Sequence, residues 1–583
     1  MANKNILDVF CNNWLQNANK IFLRHKSQNS NKYLDLSYND ILQRCVSLQM
    51  SLQTNYGIAK GDRVAIFSFN KPEWVISDLT LMSLQAISVP LYPMLSTPAV
   101  KDILIASGSK VVIADTQEMV QAVTSVQSEC PDLEAIIHIA DDSYLDKYGK
   151  SFRHLSGFNV TSREKEKFVM AAIRIPLDQI VTIVYTSGTT GKSKGVMLSH
   201  NNIASNVDAV RQAISITNQD TCLSFLPLAH VFERTVGYYC MLFAKGTICY
   251  AQNVNTLSED FLNARPSIFV GVPLLYDRIS DSVYKKARYI KKLLLKLALS
   301  TGMKYCYQGD RSLLTRLKWF LTKPLVINKI HAKLGGNLRM LVSGGAALSA
   351  KTNIFFESLD FKIIEGYGLT ETSPVIACNR LEKRKVSSIG LPLDGQEIKL
   401  SSDKELLVKG QNVMQGYYNN PEQTAEIIDK DGWLHTGDLA SIGEDGFIKI
   451  IGRKKEIIVL NNGKNVSPVA IEELLMADKY IEQACVYGDN HANLIALIVP
   501  NFEALDKKTI KKRDLLKFFN KKVVKLTQHL SSYERVRSCV VINKPFSVVT
   551  GELTPTMKMK REVIAVQYAK EIDCAYSLIK TGV

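Results

Sequence analysis

The chain is 583 residues long, 46% apolar and carries a formal net charge of +16, and that length calls for two or more domains with ample interior to bury. Its eleven cysteines form no CxxC pair and its nine histidines no ligand-spaced cluster, which argues against a disulfide framework or a zinc site and for a reducing, cytoplasmic compartment. No stretch offers about 18 uninterrupted apolar residues and the N-terminus lacks a signal-peptide core; without an RNA-binding aromatic motif, zinc finger or helix-turn-helix pattern, nucleic acid is set aside as the partner of the positive charge.

In chain order, GDRVAIFSF (61–69), VVIAD (111–115), IVTIVYT (180–186), CLSFL (222–226), SIFVGV (267–272) and LRMLVSG (338–344) read as buried strands. Helical stretches such as 71–84 separate them, which is an α/β pattern. Residues 285–333 hold thirteen Lys and Arg against the single acid Asp310, so +12 of the +16 lies in one segment. Within it Lys285, Arg288, Lys292 and Lys296 share one helical face while Ile290, Leu293, Leu294 and Leu297 cluster on another. The segment is expected to be a basic helical insert that makes a peripheral contact with an anionic membrane or screens an anionic substrate, against the alternative of a solvated helix packed on the large domain. After about residue 385 short alternating strands take over, including ELLVKG (405–410) and FIKIIG (447–452), the latter entered through an Asp445-Gly446 hairpin turn. From Arg453 a compact α+β unit follows, with a helix opening at Ser467-Pro468 and a strand at 494–500. The expected division is a large domain over 1–452 and a small one over 453–583.

The strongest chemical signal is Tyr185-Thr-Ser-Gly-Thr-Thr-Gly-Lys-Ser-Lys-Gly195, set between two strands. Its glycines let the backbone approach a ligand, while hydroxyls of Ser187, Thr189 and Thr190 and the charges of Lys192 and Lys194 suit phosphates. It is not a Walker loop, because two residues rather than four separate Gly188 from Gly191-Lys192-Ser193.

This run resembles the phosphate loop of the AMP-binding, adenylate-forming superfamily, which includes acyl-CoA synthetases, luciferases and peptide-synthetase adenylation domains. Further motifs follow in that family's order. Ser343-Gly-Gly-Ala-Ala-Leu348 resembles its adenine-contacting loop, Glu365-Gly-Tyr-Gly-Leu-Thr-Glu-Thr-Ser-Pro374 its central nucleotide motif and Trp433-Leu-His-Thr-Gly-Asp438 its ribose motif. Gly452-Arg-Lys-Lys455 resembles the interdomain hinge and Thr554-Pro-Thr-Met-Lys-Met-Lys-Arg561 the motif of the catalytic lysine. The resemblance implies a large N-terminal domain of layered α/β subdomains with a small β-rich subdomain, and a small mobile α+β C-terminal domain. It implies ATP, Mg²⁺ and coenzyme A as cofactor and co-substrates.

Carried over position by position, it assigns the nucleotide to Thr186, Ser187, Gly188, Thr189, Thr190, Lys194, Gly344, Gly345, Ala346, Tyr367, Gly368, Asp438 and Arg453. It assigns catalysis to Lys558, Thr370, Glu371 and His230, the hinge to Lys455 and the metal to Glu371. These roles make physical sense: Tyr367 offers a flat ring for adenine, Glu371 a hard oxygen ligand for Mg²⁺, Asp438 an acceptor for ribose hydroxyls. Three positions depart from the family's pattern: Ser193 stands where Pro is common, Met557 where Gly precedes the lysine, and Arg234 where some relatives place a gating Trp. LPLAHVFER (226–234) and the 431–468 and 551–561 stretches resemble long-chain fatty acyl-CoA synthetases in particular. The expected reaction joins a long-chain fatty acid to AMP and then to coenzyme A. The alternatives are an adenylating enzyme that hands the acyl group to a carrier protein, and a non-catalytic nucleotide-binding, membrane-associated protein.

Overall fold

Buried apolar runs of four to seven residues organise the first half of the chain, as the sequence pattern predicts. The computed structural model describes residues 4–26, 32–139, 150–186, 193–287, 289–506, 514–547, 550–554 and 559–580. The chain divides into two compact units, one of residues 1–398, 408–434 and 446–448, the other of 399–407, 435–445 and 449–583.

The first unit contains an eight-stranded and a nine-stranded sheet. In the eight-stranded sheet Ile180–Thr186, Ile87–Leu91, Arg63–Phe67, Ser109–Ala114, Ala135–His138 and Lys150–Ser151 run parallel, and Lys194–Ser199 and Gly416–Tyr417 add antiparallel at one edge. In the nine-stranded sheet the parallel centre is Lys362–Gly368, Met340–Ser343, Ile268–Gly271, Thr221–Ser224, Thr247–Tyr250 and Ile21–Lys26. Parallel strands covered on both faces need continuous apolar runs rather than alternation. That is why Ile180–Thr186 is buried along its length except at its two ends.

Strands Gln396–Leu400, Glu405–Gly410, Leu434–Ile442 and Ile448–Arg453 form a four-stranded sheet in that order, the last two joined through Asp445-Gly446. The second unit centres on Ile481–Tyr487, Leu494–Pro500 and Val536–Val541. Every residue of Leu494–Pro500 is buried. Leu494, Ala496 and Ile498 enter one apolar cluster with Leu475 and Phe519, while Ile495, Leu497 and Val499 enter another with Ile572. The two-residue period of a strand thus serves two cores at once. Helix Pro468–Met476 starts at Ser467-Pro468, where proline's missing N–H costs nothing.

The basic segment forms helices Ile290–Gly302 and Leu313–Thr322, which pack side by side. Leu295 and Ala298 are the buried apolar positions of the first, whereas Ile290, Leu293 and Leu297 face solvent. Among the described residues no helix is long and apolar enough to cross a membrane.

Arg234 is the largest charged side chain fully inside the first unit. Its Nε donates to the Tyr239 hydroxyl at 2.8 Å, Nη1 to Thr182 Oγ1 at 2.8 Å, and Nη2 to Ser88 Oγ at 2.9 Å and to the Asp78 carboxylate. Tyr239 in turn donates to Asp78 Oδ2 at 2.8 Å, and Trp74 lies under the guanidinium at 5.0 Å. Four segments are tied at this point: helix Pro72–Ser83, strands Ile87–Leu91 and Ile180–Thr186, and the π-helical segment Glu233–Tyr239. Removing one member of a buried pair leaves the other charge desolvated and unpaired. Asp78→Ala is therefore expected to destabilise the larger unit by about 3–5 kcal/mol, read as a lower urea midpoint for its unfolding transition, with Arg234→Met in the same background recovering part of the loss.

Candidate functional site

Strand Ile180–Thr186 pairs antiparallel with Lys194–Ser199, with Thr186 directly opposite Lys194. Those two residues form the mouth of the predicted phosphate loop; Ser187, Gly188, Thr189 and Thr190, with Gly191 and Lys192, lie outside the described residues. Gly195 serves the strand pair rather than a ligand. A Cβ there would sit 2.7 Å from the Ile183 side chain and 3.0 Å from the Tyr185 ring.

Lys194 Nζ lies 5.1 Å from the centroid of the Tyr417 ring, and the Tyr417 hydroxyl donates to Glu371 Oε1 at 2.8 Å. Tyr417 reaches this place because Gly416–Tyr417 pairs with Val196 and Met197 on the strand that leaves the loop. Burial first, and then the neighbouring Glu371 charge, hold the Tyr417 phenol well above its ordinary pKa, so it stays a donor. The Glu371 backbone carbonyl also accepts from Met414 N at 2.9 Å. Two sequence-predicted residues, Lys194 and Glu371, are thus linked through a tyrosine that no motif singles out.

Glu371 and Thr370 lie in a single tight turn, Thr370–Thr372, that follows strand Lys362–Gly368. Tyr367 and Gly368 end that strand. Gly368 has no room for a side chain, since a Cβ would stand 1.7 Å from the Pro374 carbonyl oxygen. Leu369 N donates to that same oxygen at 3.0 Å and Thr372 Oγ1 at 2.6 Å, which closes the turn.

Strand Met340–Ser343 delivers Gly344, Gly345 and Ala346. A Cβ on Gly344 would meet the Phe232 ring at 2.8 Å, so glycine lets the segment carrying His230 pack against this loop. Gly345 has φ 81°, a left-handed backbone that favours glycine. Asn70 fixes the segment further upstream: its amide donates to Leu226 O at 2.6 Å and to Ser224 Oγ at 3.0 Å, and its carbonyl accepts from Leu228 N at 2.8 Å. Ser224 Oγ donates onward to Glu233 Oε1 at 2.7 Å. Burial pushes the Glu233 carboxyl up to about 8, which keeps it protonated and neutral at pH 7. His230 Nδ1 accepts from Phe232 N at 3.1 Å, and the Tyr92 ring stands edge-on at 6.2 Å. That contact makes Nδ1 an acceptor and fixes the orientation of the ring.

In the second unit Asp438 is buried and pairs with Arg453, Nε to Oδ1 at 2.9 Å. The turn before it is held by Glu405, which accepts from Gly437 N at 2.9 Å and pairs with Lys454 at 3.1 Å. Burial would raise the Glu405 carboxyl, but the hydrogen bonds from Lys454 and Gly437 prevail and hold it below its usual range. Lys455 is exposed in the turn Lys454–Glu456. Lys558 lies outside the described residues, but its flanks are anchored. Leu553 and Met559 form an antiparallel bridge, and Arg561 grips Glu472 with two hydrogen bonds of 2.5 and 2.6 Å. Lys560 is exposed.

A profile of the AMP-binding enzyme family matches residues 12–418, and a profile of the AMP-binding enzyme C-terminal domain matches residues 455–580. The chain is 33% identical over 543 residues to the long-chain-fatty-acid–CoA ligase FadD15 of Mycobacterium bovis, covering 89% of each chain. It is 31% identical over 618 residues to the long-chain-fatty-acid–CoA ligase 5 of Rattus norvegicus, covering 99% of this chain and 89% of that one. Among solved structures, ATP-bound MatB from Rhodopseudomonas palustris shares the fold, with a TM-score of 0.73 at 22% identity over 97% of this chain and 99% of that one.

The link through Tyr417 has a direct test. Tyr417→Phe keeps the ring beside Lys194 and removes only the donor to a carboxylate, a bond of about 1.5–3 kcal/mol. A loss of about tenfold in kcat/KM for ATP, measured by pyrophosphate exchange, is expected.

Proposed function

We propose, since the chain belongs to the AMP-binding enzyme family, that it is an AMP-forming ligase that activates a long-chain fatty acid with ATP and passes the acyl group to coenzyme A. The observation that carries the nucleotide reading is the chain of contacts Lys194–Tyr417–Glu371 at the mouth of the phosphate loop. It brings a cation and a carboxylate to the same tyrosine, one at its ring and the other at its hydroxyl. The cation suits phosphate oxygens, and the carboxylate suits the hard divalent ion that accompanies them. Glu371 is the residue that would hold Mg²⁺, which when bound supplies charge neutralisation beside the phosphates.

In this reading Thr186, Ser187, Gly188, Thr189, Thr190 and Lys194 cradle the phosphates. Tyr367 stacks on adenine beside Gly344, Gly345 and Ala346, with Gly368 at the turn, and Asp438 and Arg453 take the ribose. A fatty-acid carboxylate oxygen attacks the α-phosphorus, the bond to the β-phosphate oxygen breaks, and pyrophosphate leaves with that electron pair. Thr370 and Lys558 offset charge on the oxygens, with His230 near the incoming carboxylate. The coenzyme A thiol, losing its proton, then attacks the acyl carbon, and AMP leaves with its oxygen. The large domain over 1–452 and the small domain over 453–583 divide this labour, with Lys455 as the hinge between the half-reactions.

Lys558→Ala should abolish acyl-adenylate formation yet spare conversion of supplied acyl-AMP and coenzyme A to thioester, because the lysine ammonium bridges two anions only in the first step. Lys560→Ala is the control; if it proves the damaging change, the lysine assignment is wrong. Lys455→Pro should leave pyrophosphate exchange nearly intact and sharply slow thioester formation, since a fixed φ obstructs a hinge without touching ATP. Equal loss in both half-reactions would place the hinge elsewhere.

A further inference from the structure

Helices Ile290–Gly302 and Leu313–Thr322 bury only part of their apolar surface, whereas a surface helix ordinarily turns its apolar stripe to the core. The second helix buries Thr315, Trp319 and Thr322 and turns its leucines out. Ile290 is 75% exposed, Leu293 70%, Leu313 85% and Phe320 76%, with Leu314 and Leu317 also exposed between the last two. A single exposed leucine needs no explanation. Here, however, ten of the thirty-one exposed large apolar side chains among the described residues fall between 289 and 325. Such concentration marks a surface with an apolar partner.

The charge pattern identifies the partner. Lys291, Lys292, Lys296, Arg316 and Lys318 are exposed on the same two helices, in a segment of thirteen cations and one acid. A second copy of the chain would bring +12 against +12. Nucleic acid would satisfy the cations and leave the leucines and phenylalanine in water. An anionic lipid leaflet satisfies both, because its headgroups attract the ammonium and guanidinium groups while its acyl chains take the apolar side chains. The helices are 13 and 10 residues long, against about 20 needed to span a bilayer, so the contact is confined to one leaflet.

We infer that these two helices form a docking surface for an anionic membrane, lying in the interface with Ile290, Leu293, Leu313, Leu314, Leu317 and Phe320 inserted and the lysines at headgroup level. This deepens the membrane contact expected from the sequence, adding the second helix and its outward apolar face, and the attachment does not depend on the catalytic reading. When the substrate is a long-chain acid, which partitions into lipid, the surface also brings the enzyme to the phase that holds it.

The test is sedimentation of the full chain with vesicles of phosphatidylcholine alone or with phosphatidylglycerol, at low and high salt. Binding to the anionic vesicles at low salt, weakened by high salt, is expected. The triple variants Lys291→Gln/Lys292→Gln/Lys296→Gln and Leu313→Gln/Leu317→Gln/Phe320→Gln should each lower partitioning on the order of 100-fold. Because all six side chains are exposed, both variants should keep wild-type pyrophosphate exchange with a short, water-soluble acid. The inference fails if wild type does not bind anionic vesicles at low salt, if it binds neutral vesicles equally well, or if the variants bind like wild type. A dimer on gel filtration that the apolar triple variant converts to monomer, with vesicle binding unchanged, would assign the face to a second copy and equally overturn it.

Discussion

Arg234 and Asp78 are buried together among helix Pro72–Ser83 and strands Ile87–Leu91 and Ile180–Thr186, and their pairing ties these elements of the larger unit to one another. Desolvating a guanidinium and a carboxylate costs several kcal/mol per ion, recovered only when geometry is good and the remaining donors are satisfied. Tyr239, Thr182 and Ser88 meet that condition. Thr182 lies on the strand that ends in Thr186, and Arg234 lies four residues after His230. One charge therefore ties the strand that ends in Thr186 to the segment that carries His230. It also settles what Arg234 does at a position where a swinging gate would need freedom: the side chain is held on every side.

Within each unit, the described candidate residues are positioned by neighbours rather than by their own motifs. Asn70, Ser224 and a protonated Glu233 hold the residues leading to His230. Phe232 packs where Gly344 leaves space. Tyr417 orients Glu371, and Glu405 holds the turn that presents Asp438. Networks of this kind rigidify their surroundings because the groups they pair are committed before a ligand arrives.

The elements most legible in the sequence are those set by local rules. Apolar runs at 61–69, 180–186, 267–272 and 338–344 are strands because parallel strands buried on both faces tolerate little else, and Ser467-Pro468 starts a helix because proline suits its first turn. The motif residues are legible because the glycines, hydroxyls and charges of a nucleotide site are close in sequence. Tyr417 is not, since its value comes from pairing with Val196 more than two hundred residues away. Gly195 and Gly368 read as ligand-facing glycines, yet Ile183, Tyr185 and Pro374 account for their missing side chains. The outward leucines of 313–321 escape a periodicity argument because that argument assumes the apolar face is the packed one.

At stake is the coupling of ATP cleavage to thioester formation on a long-chain acid. Its most direct test is product analysis with the purified protein, Mg-ATP and saturated acids of increasing chain length, with and without coenzyme A. AMP and acyl-CoA are expected in equal amounts with the long-chain acids, and without coenzyme A no more than a single turnover that stops at the acyl-adenylate. AMP formation indifferent to coenzyme A, or no AMP formation with any long-chain acid, would contradict it.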